Sequence, residues 1–349
     1  MKKRFKLLLL LLLPILALSA QQQGKKHEYK RLEHFRERNI SKTYPASGNT
    51  LVIDNSFGDV TITTGGSEIK VDVHIEASSS NKEHADKIFE NLDVADSKEG
   101  NTVKFKTSTN KNNKGDNYNC KNCNSSMMIS YKVQLPSGTP LTIENSFGDI
   151  ILPDYNGPVN LTSKFGDLQT GALSKAEKIQ SEFGGVNIKE VNNLNSSFKF
   201  STVTIGSLGG NNKINLEFCK GSRINLAGNL SSLDLKESYS LINLVPSSGF
   251  SASYDIRTSY SSFKNKTNAD IKRTDEPDQY GPDADRHYEG RSGSGSVKID
   301  IRSSFGKLIL GEATAEEMKE KEKHKGTGQS HLIKPLQIQG CSSGMALFF

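Results

Sequence analysis

Two cysteines separated by two residues, Cys120 and Cys123, have a spacing that can serve redox chemistry or hold a metal. A redox pair wants its first thiol at a helix N-terminus, where the backbone dipole lowers the thiol pKa. This pair lies instead in the Asn- and Lys-rich run NKNNKGDNYNCKNCNSS. A structural zinc site needs two further ligands, and the chain has no second CxxC and no His pair. The pair is therefore expected to close its own loop as a disulfide, with Cys219 as a small core or surface residue. Neither a metal nor a cofactor is expected, and no catalytic residues are assigned.

Carboxylates recur as well. Asp59, Asp149 and Asp167 each follow a Phe-Gly pair and could stack into a calcium-binding column. Gly185, Thr202 and Lys307 take the same slot elsewhere, so the column is broken and the aspartates read as turn residues that bond nearby backbone. A second pattern is a ladder of opposite charges: Asp234 and Lys236, Asp255 and Arg257, Asp300 and Arg302. Stacked like charges would repel unless a neighbouring column compensates, so surface electrostatics is the default reading, with a charged glycan as the alternative ligand. A third pattern places Thr61, Gln169, Asn187, Thr204, Asn225 and Asn243 on one outward column, where they could meet sugar hydroxyls or simply stay hydrated. The acidic run DEPDQYGPDAD at 275–285 lacks the ligand spacing of an EF-hand.

The elements that must position these groups are repeats. LVIDNSFGDVTI, LTIENSFGDIIL, VNLTSKFGDLQT and VKIDIRSSFGKLIL are variants of one unit, with weaker copies between them. With the aromatic as position zero, the units fall at Phe147, Phe165, Phe183, Phe200, Gly221, Tyr239 and Tyr260, in steps of 18, 18, 17, 21, 18 and 21 residues. Phe57 and Phe305 take the same position outside that run. Apolar residues at −6 and −4 lie an even number of steps from zero, so they share one strand face. The next apolar pair comes at +3 and +5, which reverses the alternation. A chain that turns a corner there keeps both pairs inward. On this reading Phe57, Phe147, Phe165, Phe183 and Phe305 pack inward, and Gly58, Gly148, Gly166, Gly184 and Gly306 make the bend. The predicted fold is all-β, a parallel β-solenoid of coils of about 18–21 residues, the recurrence of a short unit being the mark of a repeat stack.

The boundaries follow from where the repeat stops. Residues 46–66 form a first coil and 141–310 the main stack, which the unit at 297–310 is expected to close. Between them, 67–140 reads as an α+β module that interrupts or caps the stack, with a helix over 81–94. Residues 21–45 read as a polar linker, and 311–349 as a charged helix and a disordered tail. Residues 1–20 read as a signal peptide, with basic residues before a short apolar run and small residues at its end. The formal charge is +6; four of those positive charges lie within the signal, which leaves about +2 and no case for nucleic-acid binding. Hydrophobic residues are only 34% of the chain and Trp is absent, as suits a narrow coil with a thin core. No segment after the signal is apolar enough to be a membrane-spanning helix.

The units at 55–60, 145–150 and 163–168, the helix-bearing segment after the first of them, and the ending GSGSVKIDIRSSFGKLIL together resemble the bacterial putative-adhesin family of exported β-solenoids, a group of unknown function common in the Bacteroidetes. The resemblance covers roughly residues 46–310. It implies an exported protein (periplasmic, cell-surface or secreted) that is not an enzyme, with a glycan or a cell-surface protein as partner. Two other expectations stand beside it: a polysaccharide-active parallel β-helix enzyme, and an envelope-stress or assembly component acting through a partner.

Overall fold

The computed structural model describes residues 31–109, 123–277 and 282–319. The signal segment and the end of the tail lie outside these residues. The described chain is all-β, with 22 strands in one continuous sheet and a single helix, Lys82–Glu90.

Successive units lie in register on one another as parallel strands. Leu51, Leu141 and Val159 are aligned neighbours, as are Ile53, Ile143 and Leu161. The latter row continues through Ile179, Ser196, Ile214, Leu235, Ile301 and Ile256, all of them buried. Past the corner, Val60, Ile150, Leu168, Val186 and Val203 make a second buried row. A third, formed by Leu173, Val191, Leu208 and Leu226, was not marked by the repeat pattern. Alternating apolar residues therefore meet their own equivalents one unit away, which gives each coil a thin, continuous core. The strands Leu168–Glu182, Gly185–Asn192, Thr202–Glu217 and Asn195–Lys199 close into a ring of four. The ring closes because the two longest of them run on past a bend and contribute to both sides.

The corner differs from the sequence expectation. The aromatics point outward: Phe165 is 48% exposed and Tyr260 59%. Phe57, Phe147, Phe165, Phe183, Phe200, Phe218, Tyr239, Tyr260 and Phe305 all have positive φ, between 49° and 71°. A left-handed residue reverses the side-chain alternation by itself. Inward positions are therefore −6, −4 and −2, then +3 and +5, and the aromatic is expelled. Phe218, not Gly221, is the sixth unit's corner. The glycines have another task, since none of Gly58, Gly148, Gly166, Gly184 and Gly306 has positive φ. A Cβ on Gly148 would lie 2.1 Å from the Gly58 carbonyl oxygen, and one on Gly166 would lie 2.0 Å from that of Gly148. They allow close approach between coils; the bend belongs to the aromatic.

The expelled rings stack in one column, Phe57–Phe147–Phe165–Phe183–Phe200–Phe218–Tyr239–Phe305–Tyr260, with centroids 4.6–5.6 Å apart and planes within 8° of parallel. A left-handed non-glycine residue costs about 1–2 kcal/mol, and a stacked pair contributes about 0.5–1.5 kcal/mol beyond its buried area. An interior ring with two neighbours roughly offsets its own strain. Replacing Phe183 by glycine is thus expected to be less harmful than replacing it by alanine, by about 1 kcal/mol, because only glycine releases the strain. Urea unfolding of the two variants checks this, and an alanine variant as stable as the glycine one would refute it.

Both ends of the stack are covered. Thr102–Thr109 and Ser125–Leu135 add a parallel layer to the first coil, over Thr50–Ser56 and Val60–Thr64. Glu68–Ser79 and Leu92–Glu99 then pair antiparallel to that layer. The described strands of 67–140 thus lie on one end of the stack, and the first coil lies directly on the coil of Leu141–Ser146. The helix ends at Asn91, because Leu92 begins a strand. The linker reading of 21–45 is corrected in its second half: His34–Pro45 is a strand antiparallel to Glu68–Ser79. Nor does the last unit close the stack. Val297–Ser304 lies between Ser222–Ser238 and Ala252–Ser259, parallel to both. The outermost coil is Ala252–Asn265, covered by the antiparallel strand Asp285–Ser292. Among the described residues, these antiparallel strands cover the parallel layers at both ends, as suits edges that would otherwise be open to another chain. Among the described residues after Gly311, 315–318 make a turn and not a helix, held by Glu317 against Lys264 and Lys266; residues 320–349 lie outside the described residues.

Candidate functional site

The charged residues Asp234, Lys236, Asp255, Arg257, Asp300 and Arg302 lie on three adjacent strands in register. Because Val297–Ser304 is inserted between the other two strands, the order across the face is Asp234, Asp300, Asp255 in one row and Lys236, Arg302, Arg257 in the next. Ser238, Ser304 and Ser259 form a third row beside them. Neighbouring strands lie about 4.8 Å apart, so three cations stand in line between a row of carboxylates and a row of hydroxyls. The two arginines bend toward the acid of their own strand: Arg257 is 3.2 Å from Asp255, and Arg302 is 3.8 Å from Asp300. Exposed pairs of this kind contribute roughly 0–1 kcal/mol, so the fold does not depend on them.

A fourth rung extends the ladder. The covering strand Asp285–Ser292 aligns His287 with Arg257, Glu289 with Asp255 and Asp285 with Ser259. Sequence spacing could not reveal this rung, because an antiparallel strand presents the basic residue before the acid. At this end the face sinks into a groove of about 480 Å³, lined by Arg257, Arg302, Arg286, His287, Asp275 and Glu276 among others.

From the acidic run at 275–285, Asp275, Glu276 and Asp285 line the groove. Arg273 binds Asp275 at 2.6 Å and Asp283 at 2.5 Å, and Arg286 binds Asp283 at 3.1 Å. The Arg273 guanidinium, helped by the His287 backbone N–H, pulls the Asp275 carboxyl down to about 2. Arginines thus neutralise Asp275 and Asp283 and tie the described ends of the run together. Residues 278–281 lie outside the described residues.

The remaining candidates separate clearly. The Asp column bonds coil to coil: Asp59 Oδ1 accepts the Asp149 N–H at 2.9 Å, Asp149 Oδ1 that of Asp167 at 2.9 Å, and Asp167 Oδ1 that of Gly185 at 2.7 Å. The third polar column holds Thr61, Ile151, Gln169, Asn187 and Thr204, but Arg223 replaces Asn225 in it, and Asn243 is buried. Cys123 is disulfide-bonded, and Cys120 lies outside the described residues. Cys219 is a free, buried thiol whose pKa burial pushes up. Along the aromatic column each interior ring is stacked between two others, and the rings remain partly exposed.

No protein-family model matches the chain, and no curated protein matches it. Solved structures do resemble it. A putative adhesin from Bacteroides fragilis NCTC 9343 is 13% identical, with 78% of this chain and 97% of that one covered and a TM-score of 0.39. A putative lipid binding protein from Parabacteroides distasonis ATCC 8503 is 13% identical, with 81% and 100% covered and a TM-score of 0.36. A putative adhesin from Parabacteroides merdae ATCC 43184 is 8% identical, with 81% and 99% covered and a TM-score of 0.30.

Proposed function

We propose that this chain is an exported, non-catalytic β-solenoid whose flat charged face mediates adhesion to an acidic glycan of a cell envelope. The observation that carries this reading is the in-register alignment of Lys236, Arg302 and Arg257 beside the serines 238, 304 and 259. A linear polyanion needs cations at a regular spacing, and a sugar chain needs hydroxyl partners alongside them. The face supplies both at the strand repeat, and its shallow groove offers a place for one end. Export rests on the leader-like residues 1–20. No helix among the described residues is long and apolar enough to cross a membrane.

An enzyme reading finds less support. Sugar cleavage wants a carboxyl raised toward neutrality at a surface the substrate can reach. Burial pushes Glu237 up to about 7, but this side chain is only 4% exposed and faces inward.

Binding to a panel of acidic and neutral polysaccharides tests the proposal. The wild type is expected to bind acidic chains in a salt-sensitive way, and Arg257→Glu with Arg302→Glu to weaken that binding about tenfold or more, each decade being about 1.4 kcal/mol. Equal affinity for neutral chains, or no response to the double reversal, would overturn it. Release of reducing ends from any member of the panel would show catalysis.

A further inference from the structure

We infer that Asp255, His287 and Glu289 form a site for one divalent transition-metal ion that clips the covering strand to the outermost coil. The three groups come from two adjacent strands, Asp255 from Ala252–Ser259 and the other two from Asp285–Ser292. His287 Nε2 lies 3.0 Å from Asp255 Oδ1 and 3.5 Å from Glu289 Oε1, and the three ligand atoms all lie within 4.8 Å of one another. Zinc bonds of about 2.0–2.2 Å in tetrahedral geometry separate ligands by about 3.4 Å. The cluster thus needs only a small contraction to close on an ion.

The hydrogen bonds around His287 aim the right atom. Thr274 Oγ1 donates to the His287 carbonyl at 3.4 Å and lies 3.2 Å from Nδ1. The same hydroxyl can receive an Nδ1–H once a metal takes Nε2. Without a metal, Nε2–H donates to Asp255 Oδ1 at 3.0 Å; a bound ion would replace that proton and sit between Nε2 and the two carboxylate oxygens. A ring nitrogen fixed through its other N–H is the usual second layer of a metal-bound histidine. The neighbouring cations leave the point open. Arg257 binds the other Asp255 oxygen, Oδ2, at 3.2 Å, and Lys272, aligned with Glu289, turns to Asp270 at 3.3 Å. One imidazole and two carboxylates suit zinc and its neighbours better than calcium, which prefers oxygen alone.

A similar trio, Glu37, His74 and Glu76, shows the contrast. There Arg31 already reaches Glu76 and Glu37, so a guanidinium holds the place a metal would take.

The test is calorimetric titration of the full exported chain with zinc chloride, together with thermal melting with and without zinc. One saturable equivalent is expected, with a rise in melting temperature, since a ligand bound only to the folded state stabilises it. His287→Gln and Glu289→Gln are each expected to weaken that equivalent about tenfold or more and to abolish the rise. His74→Gln should retain both. Should His287→Gln fail to fold, Glu289→Gln, on an exposed side chain, decides. No saturable binding below about 1 mM zinc, or binding that survives both substitutions at the covering strand, would overturn the assignment.

Discussion

Gly166→Ala is expected to destabilise the protein by about 3–5 kcal/mol, near the top of the range for single substitutions. The new Cβ would lie 2.0 Å from the Gly148 carbonyl oxygen and 2.6 Å from its carbonyl carbon. Backbone strain at Gly166 is not the cause, because its φ is not positive. Nor can a side chain swing away, since both atoms belong to the backbone of the next coil. That backbone is held on either side by Phe147 N–H to the Lys164 carbonyl at 2.8 Å and by the Asp167 N–H to Asp149 at 2.9 Å. Relief requires the coils to separate, which would stretch these bonds and the Phe147–Phe165 stack together. Gly138→Ala provides the control. Its Cβ meets nothing within 4 Å and its φ is not positive, so a change within about 0.5 kcal/mol is expected. Urea unfolding followed by circular dichroism measures both. Equal stability of the two variants would show that close packing of the glycine column is unnecessary.

The repeat made most of this architecture legible, because alternation at −6, −4, +3 and +5 names the inward residues whichever way the corner is built. The corner itself was not legible. An inward Phe with a glycine bend and an outward Phe with left-handed backbone reverse the alternation equally well. A bulky residue with positive φ is rare, so the commoner chemistry favours the wrong choice. The clue lay at −2, where Asn55, Asn145, Ser163 and Ser181 are polar yet buried, as corner residues that bond the adjacent backbone are. Asn55, for instance, donates to the Gly58 and Ile129 carbonyls. Assigning the sixth corner to Gly221 followed from the same mistake. An extra residue after Phe218 displaces the apolar pair, so Arg223 aligns with Thr204.

The ladder was legible as three rungs because parallel strands keep acid and base in one order. Its fourth rung reverses that order, and its spatial sequence depends on a late strand inserted between two earlier ones. Local patterning carries no information about which neighbour a strand will choose. Insertion requires the coil ending at Pro246 and the coil starting at Ala252 to leave one strand's width between them. Tyr239 N–H to the Ser304 carbonyl and Phe305 N–H to that of Ser259, both at 2.9 Å, fill that gap.

Stability is expected to fall by about 3 kcal/mol as pH rises from 4.5 to 7, through Glu237 alone. This carboxyl is buried at position −2, between Leu216 and Ser303 of the adjoining coils. Burial raises its pKa from 4.5 to about 7, against smaller opposing contributions from the Ser303 hydroxyl and the Ser240 N–H. Below pH 4.5 the side chain is protonated whether the chain is folded or not, and it contributes no pH dependence. Between 4.5 and 7 the unfolded chain releases the proton while the folded chain keeps it. The folded state then binds more protons, so each rise in pH favours unfolding, the reverse of a carboxylate held low by an ion pair. Above about 7 both forms are ionised and the loss is complete. Glu237→Gln keeps an oxygen for Ser240 and cannot ionise, so its stability should lack this fall. Subtracting the two urea midpoint profiles removes the surface acids Asp275 and Glu317, whose lowered pKa values act in the opposite sense at low pH. The effect should also be local. Glu237 touches the inserted strand through Ser303, and the Lys307 N–H bonds the Ser240 carbonyl at 2.8 Å. Ionisation should therefore loosen the inserted coil first, and the Lys307 amide should lose exchange protection in wild type relative to Glu237→Gln above pH 7. Parallel stability profiles in the two proteins would show that the buried carboxyl does not titrate in this range.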